Sequence, residues 1–243
     1  MKVGPLGRLT FDLMTDVTKY VINLEHRADR RSEMTRELDS IGWRAQFFPA
    51  VRPTESKVFP SIGARGCFLS HLSAIKRAPD GHVLLMEDDL NFMPDFSRMW
   101  SGAYGALTDF DWSIFYPGHV LVDQPNGLVL LEPSVPVQCT HFLLIHERAR
   151  SRIIDGLEAI LARPAGHPLG GPMHVDGAYS TIRAQNPDLK TYVFSPSLGY
   201  QRSSRSDIAS GRLLDSFAFL KPFMSGMRRI KQTMVSRRHR QKG

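Results

Sequence analysis

The chain has 243 residues, of which 42% are hydrophobic and 23% are charged. This length suits one large α/β domain, and the composition excludes a disordered chain or a membrane bundle. Two cysteines, Cys67 and Cys139, are too few for a disulfide framework and fit a reducing compartment. Residues 1–16 contain no apolar run of signal-peptide length, and no stretch reaches the roughly 20 apolar residues of a membrane span. We therefore expect a cytoplasmic protein.

The net charge of +7 is concentrated at the C-terminal end of the chain. Residues 221–243 contain eight of the 31 lysines and arginines and none of the 24 acidic residues, so the rest of the chain is close to neutral. We divide the chain into an N-terminal extension (1–16), a globular domain (17–210) and a basic C-terminal tail (211–243).

The tail also carries apolar residues. From residue 217 onward, aromatic and aliphatic side chains alternate with the basic ones, a pattern that suits the surface of an anionic membrane. We expect peripheral membrane contact through 217–243; a solvated disordered end and nonspecific affinity for nucleic acid are the alternatives. No groove-reading motif accompanies the tail, so we expect no specific nucleic-acid partner.

Apolar runs and amphipathic stretches alternate along the globular domain. A first strand is expected at 19–24, then a helix that Asp29 caps and Gly42 ends, then a second strand at 44–51. This βαβ opening predicts a parallel sheet with right-handed crossovers. Further helices are expected at 63–78, from Pro94 to Leu107, and at 147–161 and 176–184, and further strands at 112–116, 128–131, 138–146 and 190–195.

One predicted strand ends abruptly in acidic residues. Residues 82–86 form an apolar run that follows a turn, and Glu87, Asp88 and Asp89 come directly after it. In open α/β sheets, ligands collect at the carboxyl ends of the strands. Three acids there repel each other and are costly to desolvate unless a cation joins them. The pattern indicates a divalent metal site that neutralises a diphosphate; an ordinary acidic loop or a helix start capped by these acids is the alternative.

Four stretches of the domain carry a family pattern. They are Tyr20–Leu24 followed by Arg27, Asp29, Arg30 and Arg31; Gly66-Cys67-Phe68-Leu69-Ser70-His71; Leu84–Asp89; and Val175-Asp176 with Pro196-Ser197-Leu198, Gln201 and Ser206-Asp207-Ile208. Together they cover roughly residues 19–208 and resemble glycosyltransferase family 25, which includes lipopolysaccharide sugar transferases and collagen galactosyltransferases. The Gly-Cys-x-x-Ser-His stretch ahead of the acid-ended strand is the specific part. The loop 52–65 and the tail after Gly211 lie outside the resemblance.

The resemblance implies a GT-A fold, which is a Rossmann-like, mostly parallel sheet flanked by helices in a single domain. It implies transfer of a sugar from a nucleotide donor with inversion at the anomeric carbon, usually with Mn²⁺ or Mg²⁺. We expect a hexosyltransferase of galactose or glucose type that uses a UDP-linked donor. The expected acceptor is lipopolysaccharide or another surface glycan or glycolipid, reached at the inner face of the cytoplasmic membrane. A nucleotide-sugar-binding module without catalysis and a membrane-associated adaptor are the alternatives.

Two of the three acids are spaced to share one ion. Hard oxygen ligands suit Mg²⁺ or Mn²⁺, and Glu87 and Asp89 have the spacing of the Asp-x-Asp pattern of metal-dependent sugar transferases. Side chains at i and i+2 of an extended chain lie on one side. We assign Asp89 to the metal, Glu87 to the metal or the donor ribose, and Asp88 to the donor site. His174 is a further candidate for the metal or the acceptor, and an ordinary polar surface residue is its alternative.

Inversion by a single displacement needs a base that takes the proton of the acceptor hydroxyl. Asp176 is the candidate, because it lies at a predicted helix start where the resemblance puts an acid. The alternative is that its carboxylate only caps this helix.

Other polar residues are candidates for donor binding. Arg27 and Arg30 follow the first strand, and arginine forks suit a diphosphate or a nucleoside rim, although Asp29 and Glu33 are close enough in sequence to pair with them. Asn23 ends that strand and can read a base or ribose, or satisfy the backbone.

Ser70 and His71 are adjacent on a predicted helix. Neighbouring helical residues point about 100° apart, so the two do not form a nucleophilic dyad. We place both in the donor pocket; a satisfied core histidine is the alternative for His71.

Overall fold

The computed structural model describes residues 16–202, and all of these belong to one compact unit. Within this range the chain forms nine β-strands and five α-helices. In chain order they are β1 (Val17–Asn23), α1 (Ala28–Ile41), β2 (Gln46–Pro49), α2 (Ile62–Arg77), β3 (His82–Glu87), β4 (Leu90–Phe92), α3 (Phe96–Thr108), β5 (Ile114–Tyr116), β6 (Gly127–Leu131), β7 (Phe142–Ile145), α4 (Arg150–Ala162), α5 (Val175–Gln185), β8 (Thr191–Ser195) and β9 (Gly199–Gln201). None of the helices between residues 16 and 202 has both the length and the apolar character that a membrane crossing requires. The basic tail lies outside the described residues.

Seven strands form one mixed sheet in the order β2-β1-β3-β7-β5-β8-β6. β1 pairs in parallel with β2 and β3, and β5 pairs in parallel with β8. β7 runs antiparallel to both of its neighbours, and β6 runs antiparallel to β8 at one edge. Five of the described strands therefore share one direction, which confirms the predicted α/β class with a mostly parallel sheet. β4 and β9 form a separate antiparallel pair.

Helices cover both faces of this sheet. Successive side chains of β3 point to opposite faces, with Val83 and Leu85 in the core against α2, α4 and α5, and Leu84 and Met86 in the core against α1 and α3. Because both faces are buried, the strand has no polar alternation and reads as a continuous apolar run. The strand is thereby fixed in the middle of the molecule, and its acidic end is held at a defined edge.

Helix α2 is anchored at both ends. At its start, the hydroxyl of Ser61 accepts a hydrogen bond from the N–H of Ala64 at 3.0 Å. At its end, the guanidinium of Arg150 donates hydrogen bonds of 2.5–3.1 Å to four backbone carbonyl oxygens, those of Ile75, Ala78, Pro79 and Gly81. These carbonyl groups belong to the last turn of α2 and the loop before β3, so Arg150 fixes this helix relative to the acid-ended strand.

Replacement of Arg150 by alanine should destabilise the fold. The change leaves four carbonyl groups without charge-assisted donors, and we expect the free energy of unfolding to fall by about 1.5–3 kcal/mol in urea denaturation of the full chain. Arg44→Ala is the matched control, because Arg44 pairs with Asp39 at 3.0 Å on the exposed surface and should contribute little. Equal denaturation midpoints for the two variants would contradict this role of Arg150.

Candidate active site

The carboxyl ends of β1 and β3 lie side by side. The two strands are parallel and Ile22 is in register with Glu87, so Asn23 comes to lie beside Asp88. The side-chain amide of Asn23 donates hydrogen bonds to Asp88 Oδ2 at 2.7 Å and to the backbone carbonyl of Arg27 at 3.3 Å. Asn23 therefore joins the acidic end of β3 to the loop that leads into α1.

The three acids at the end of β3 point in different directions. Asp88 accepts a hydrogen bond from Arg30 Nη1 at 2.9 Å through Oδ1, and the same nitrogen lies 3.5 Å from Asp89 Oδ2. Gln201 donates to that Asp89 oxygen at 3.2 Å. Glu87 instead faces α2. The chain turns at Asp88 and Asp89, so the extended spacing that predicted Glu87 and Asp89 on one side does not hold here. One guanidinium thus bridges two buried carboxylates, while the third carboxylate has other partners.

Asp89 is the acid of this edge whose pKa is raised. The residue is 4% exposed, and burial, followed by the charge of Glu87, raises its pKa to about 7 despite the opposing effects of Arg30 and Gln201. Its Oδ1 is buried and has no hydrogen-bond partner. A buried carboxylate oxygen without a hydrogen-bond donor costs free energy of folding, and coordination of a cation by this oxygen would offset that cost.

Glu87 lies in a separate set of contacts. Its Oε1 is 3.6 Å from His71 Nε2, 3.9 Å from Cys67 Sγ and 3.3 Å from the hydroxyl of Thr140. Burial opposes its charge, but the contacts with His71 and Thr140 and the charge of His141 outweigh this and lower its pKa. Within residues 16–202, Cys67, His71 and Glu87 are the group of three potential ligands whose donor atoms all lie within 4.8 Å of one another.

The Gly-Cys-x-x-Ser-His stretch presents two pairs of residues on α2, each pair spaced one helical turn apart. Gly66 and Ser70 face the segment after β2: a Cβ on Gly66 would lie 2.8 Å from the carbonyl oxygen of Val51, and Ser70 Oγ accepts from the N–H of Val51 at 2.8 Å. Cys67 and His71 face Glu87. Ser70 is fully buried in this arrangement and also donates to the carbonyl of Gly66 at 2.6 Å.

Asp176 is the second residue of α5 and is half-buried. Its Oδ1 accepts from the N–H of Gly177 at 2.8 Å, and its Oδ2 accepts from the N–H of Cys139 at 3.4 Å. Burial and the charges of Glu87, Asp176 and Asp89 together raise the pKa of the Cys139 thiol to about 12. Asp176 therefore connects the start of α5 to the segment before β7.

His174, the other candidate near α5, directly precedes that helix, and its side chain makes no capping hydrogen bond. Among the residues that the structure describes, it belongs to no three-ligand group with Glu87 or Asp89.

The two candidate arginines have different surroundings. Arg27 forms a two-bond ion pair with Asp29, at 3.0 and 2.8 Å, and this contact lowers the pKa of Asp29. Arg30 lies between Asp88 and Asp89 at the strand end. An open groove adjoins this edge between the ends of β1 and β2, and Leu24, Glu25, His26, Ala50 and Arg52 line it.

Several residues that contact these acids were not predicted as site residues from the sequence. Thr140 and His141 precede β7 and reach Glu87 because β7 is antiparallel to β3, with Phe142 opposite Met86. Gln201 ends β9, and Arg202 donates from its backbone N–H to the carbonyl of Asp89 at 2.7 Å. Strand direction is not encoded in an apolar run, so the sequence offered no indication that these chain segments meet.

The comparisons with known proteins agree with the motifs. No family model matches the chain. A glycosyltransferase 25 family member of Anopheles gambiae is 33% identical over 127 residues, which are 41% of this chain and 21% of the relative. Procollagen galactosyltransferase 2 of Mus musculus is 28% identical over 138 residues, 45% of this chain and 22% of that protein. The chain thus spans about a fifth of the length of these curated relatives, and its resemblance to family 25 is confirmed.

Two solved structures are similar at lower identity. A Drosophila beta-1,4-galactosyltransferase 7 in complex with manganese, UDP-galactose and xylobiose is 10% identical, with 79% of this chain and 72% of that chain covered and a TM-score of 0.40. A glycosyltransferase involved in the glycosylation of the major capsid of PBCV-1 is 12% identical, with 74% and 94% covered and a TM-score of 0.35.

The raised pKa of Asp89 predicts how the stability of the metal-free protein changes with pH. A folded-state pKa of about 7, above the usual 3.8, means that the folded protein binds this proton more tightly than the unfolded chain. The resulting stability is present at acid pH and is lost as the pH rises from about 4 to about 7. Asp89→Asn abolishes this loss. The free energy of unfolding of Asp89→Asn minus that of the wild-type protein should therefore increase by about 2–3 kcal/mol between pH 5 and pH 8, measured in chelator.

Asp88→Asn is the control for this experiment, because it makes the same substitution one residue earlier. Asp88 accepts from Asn23 and pairs with Arg30, so an amide there replaces an acceptor with a donor and should destabilise the protein at pH 8. Shifts of the same sign for both variants would contradict the different environments of the two acids.

Proposed function

We propose that the chain transfers a hexose, of galactose or glucose type, from a nucleotide diphosphate donor to a hydroxyl group of a glycan or glycolipid. The observation that carries the proposal is the buried Asp89 carboxylate at the carboxyl edge of the sheet, whose Oδ1 has no hydrogen-bond partner. The similarity to curated relatives named as galactosyltransferases supports the same reaction class.

The residues at this edge fit a hard divalent cation such as Mn²⁺ or Mg²⁺. Asp89 supplies the oxygen without a donor, and Glu87 is the second carboxylate, spaced two residues away. Such an ion, when bound, neutralises the charge that develops on the departing diphosphate. Arg30 holds Asp88 and Asp89 in place, and its fixed guanidinium adds positive charge at the same edge. His174 is proposed as a further ligand on the α5 side.

The donor would lie along the ends of β1 and β3. The groove beside Leu24 and Arg52 is open to solvent and ends near Asn23 and Arg27, which suits the nucleoside part of a UDP-sugar. The Gly66–Ser70 contact to Val51 fixes the wall of this groove, so Ser70 would act on the donor through the backbone rather than by touching it.

Asp176 is suited to act as the base. Two backbone N–H groups, those of Gly177 and Cys139, hold its carboxylate in one orientation. A carboxylate fixed in this way can accept the proton of the acceptor hydroxyl as the oxygen attacks the anomeric carbon, which inverts the configuration. These hydrogen bonds also stabilise the first turn of α5, so the capping role and the catalytic role are compatible.

The basic tail bears on the acceptor. A surface glycan such as lipopolysaccharide, approached at the inner face of an anionic membrane through the basic tail, accords with the tail's composition. The second candidate function is a module that binds nucleotide sugar without transferring it.

Asp176→Asn tests the catalytic role. The amide cannot accept a proton, so we expect the rate of sugar transfer, or of donor hydrolysis without acceptor, to fall by about 10²–10⁴-fold. The rise in melting temperature caused by UDP with Mn²⁺ should persist, because donor binding does not need this base.

Asp155→Asn, on the exposed surface of α4, is the matched control and should keep the wild-type rate. A normal rate in Asp176→Asn would exclude Asp176 as the base. Donor binding without any turnover in the wild-type protein would favour the binding module.

A further inference from the structure

A second group of potential ligands adjoins the proposed diphosphate site and shares Glu87 with it. Cys67, His71 and Glu87 each offer one ligand atom within 4.8 Å of the other two, and Glu87 Oε1 lies 3.6 Å from His71 Nε2 and 3.9 Å from Cys67 Sγ. Tetrahedral zinc with ordinary bond lengths separates such ligand atoms by about 3.3–3.6 Å. The two contacts of Glu87 are within a few tenths of an ångström of such separations, and side-chain rotation of Cys67 and His71 on their shared helix face would bring the sulfur and the nitrogen to the same distance.

His71 is oriented toward such an ion. Its side chain is fully buried, and its Nε2 has no hydrogen-bond partner. Its Nδ1 lies 3.2 Å from the hydroxyl of Tyr179, which is also fully buried. With the proton on Nδ1 and donated to Tyr179, the lone pair of Nε2 points toward Glu87 and Cys67. A second hydrogen bond of this kind is the usual support of a metal-binding histidine.

The ligand set is unlike that of the strand-end carboxylates. One sulfur, one imidazole nitrogen and one carboxylate oxygen favour zinc or cobalt over magnesium or manganese. Cys67 and His71 are four residues apart on α2, so one helix face presents both. We propose that Cys67, His71 and Glu87 form a distinct metal site that binds a borderline-soft divalent cation such as Zn²⁺, with solvent in the fourth position.

Binding at this site releases one proton. The thiol of Cys67 loses its proton to solvent as the sulfur–metal bond forms, while His71 binds as the neutral imidazole and Glu87 as the carboxylate. The ion enters from the strand-end edge, where the side chain of Glu87 is 22% exposed.

Occupancy of this site would affect the neighbouring one. Glu87 is shared, so a Zn²⁺ ion on its Oε1 removes that oxygen from the hard cation and places a positive charge beside it. We expect Zn²⁺ to inhibit sugar transfer, and this consequence alone rests on the proposed function.

Cobalt gives a direct test, because a cobalt–thiolate bond produces a charge-transfer absorption that oxygen and nitrogen ligands do not. The whole chain has two cysteines, so any such band arises from Cys67 or Cys139. We expect the full-length protein to show the band at one Co²⁺ per chain and Zn²⁺ to displace it. Cys67→Ser should lose the band, and Cys139→Ser should keep it. Absence of the band in the wild-type protein, or its persistence in Cys67→Ser, would overturn the proposal whether or not the protein transfers sugar.

Tyr179→Phe provides a variant that retains all three ligands. It removes only the hydroxyl that orients His71, and we expect it to weaken Zn²⁺ binding by about 10–100-fold, measured by competition with a chromophoric chelator. If Cys67→Ser fails to fold, Cys67→Ala replaces it in the same assay, with melting curves to verify folding. Unchanged Zn²⁺ affinity in both Tyr179→Phe and the folded cysteine variant would contradict the site.

Discussion

Repulsion between buried carboxylates at the end of β3 is the constraint on which the rest of this edge depends. A strand buried on both faces delivers Glu87, Asp88 and Asp89 to one place, and the last two are 6% and 4% exposed. A single guanidinium, that of Arg30, contacts both of these carboxylates. Burial, followed by the charge of Glu87, raises the pKa of Asp89, whereas Glu87, with its own partners, keeps its charge.

The incomplete neutralisation of these carboxylates connects the fold to the proposed chemistry. A protein that only needed stability would do better with neutral side chains at the end of β3, since like charges in a buried site oppose folding. A site that must hold a cation next to a diphosphate needs those oxygens to be poorly satisfied until the ion arrives. The elements around β3 supply the other groups of this edge: α1 brings Arg30, β9 brings Gln201, and α5 holds Asp176 with its carboxylate fixed by backbone donors.

Two neighbouring faces of helix α2 make different contacts at this edge. One of its faces seats the chain after β2 through Gly66 and Ser70, and the next face presents Cys67 and His71 to Glu87. A single helical motif therefore combines close packing with a sulfur and nitrogen ligand pair. Glu87 lies between this pair and the hard carboxylate site, which makes it the residue through which the two could influence each other.

Much of this arrangement could be predicted from the chain itself. The apolar run before Glu87 predicts a strand buried on both faces, and the βαβ opening predicts a parallel sheet. The pairing of this strand with β1, which brings Asn23 beside Asp88, is seen only in the structure. The acids were also expected to lie at the carboxyl edge, where they do lie. These features depend on local periodicity and on the known handedness of crossovers.

Other contacts depend on long-range pairing, which periodicity does not specify. The antiparallel direction of β7 brings Thr140 to Glu87, and the β4–β9 pair brings Gln201 to Asp89 across 112 positions of sequence. The partner of an arginine is equally uncertain from sequence: Arg27 pairs with nearby Asp29, whereas Arg30 reaches the distant strand end. The assignments of Asp176, His174 and the donor-binding residues remain predictions.

Manganese binding measured by electron paramagnetic resonance, in the presence of UDP, tests the central claim most directly. The account predicts one bound Mn²⁺ per wild-type chain and an affinity at least about tenfold weaker in Asp89→Asn, with Asp80→Asn in the exposed turn before β3 unchanged. Equal Mn²⁺ affinity in the wild-type protein and Asp89→Asn would contradict the claim that this crowded carboxylate edge is built around a cation.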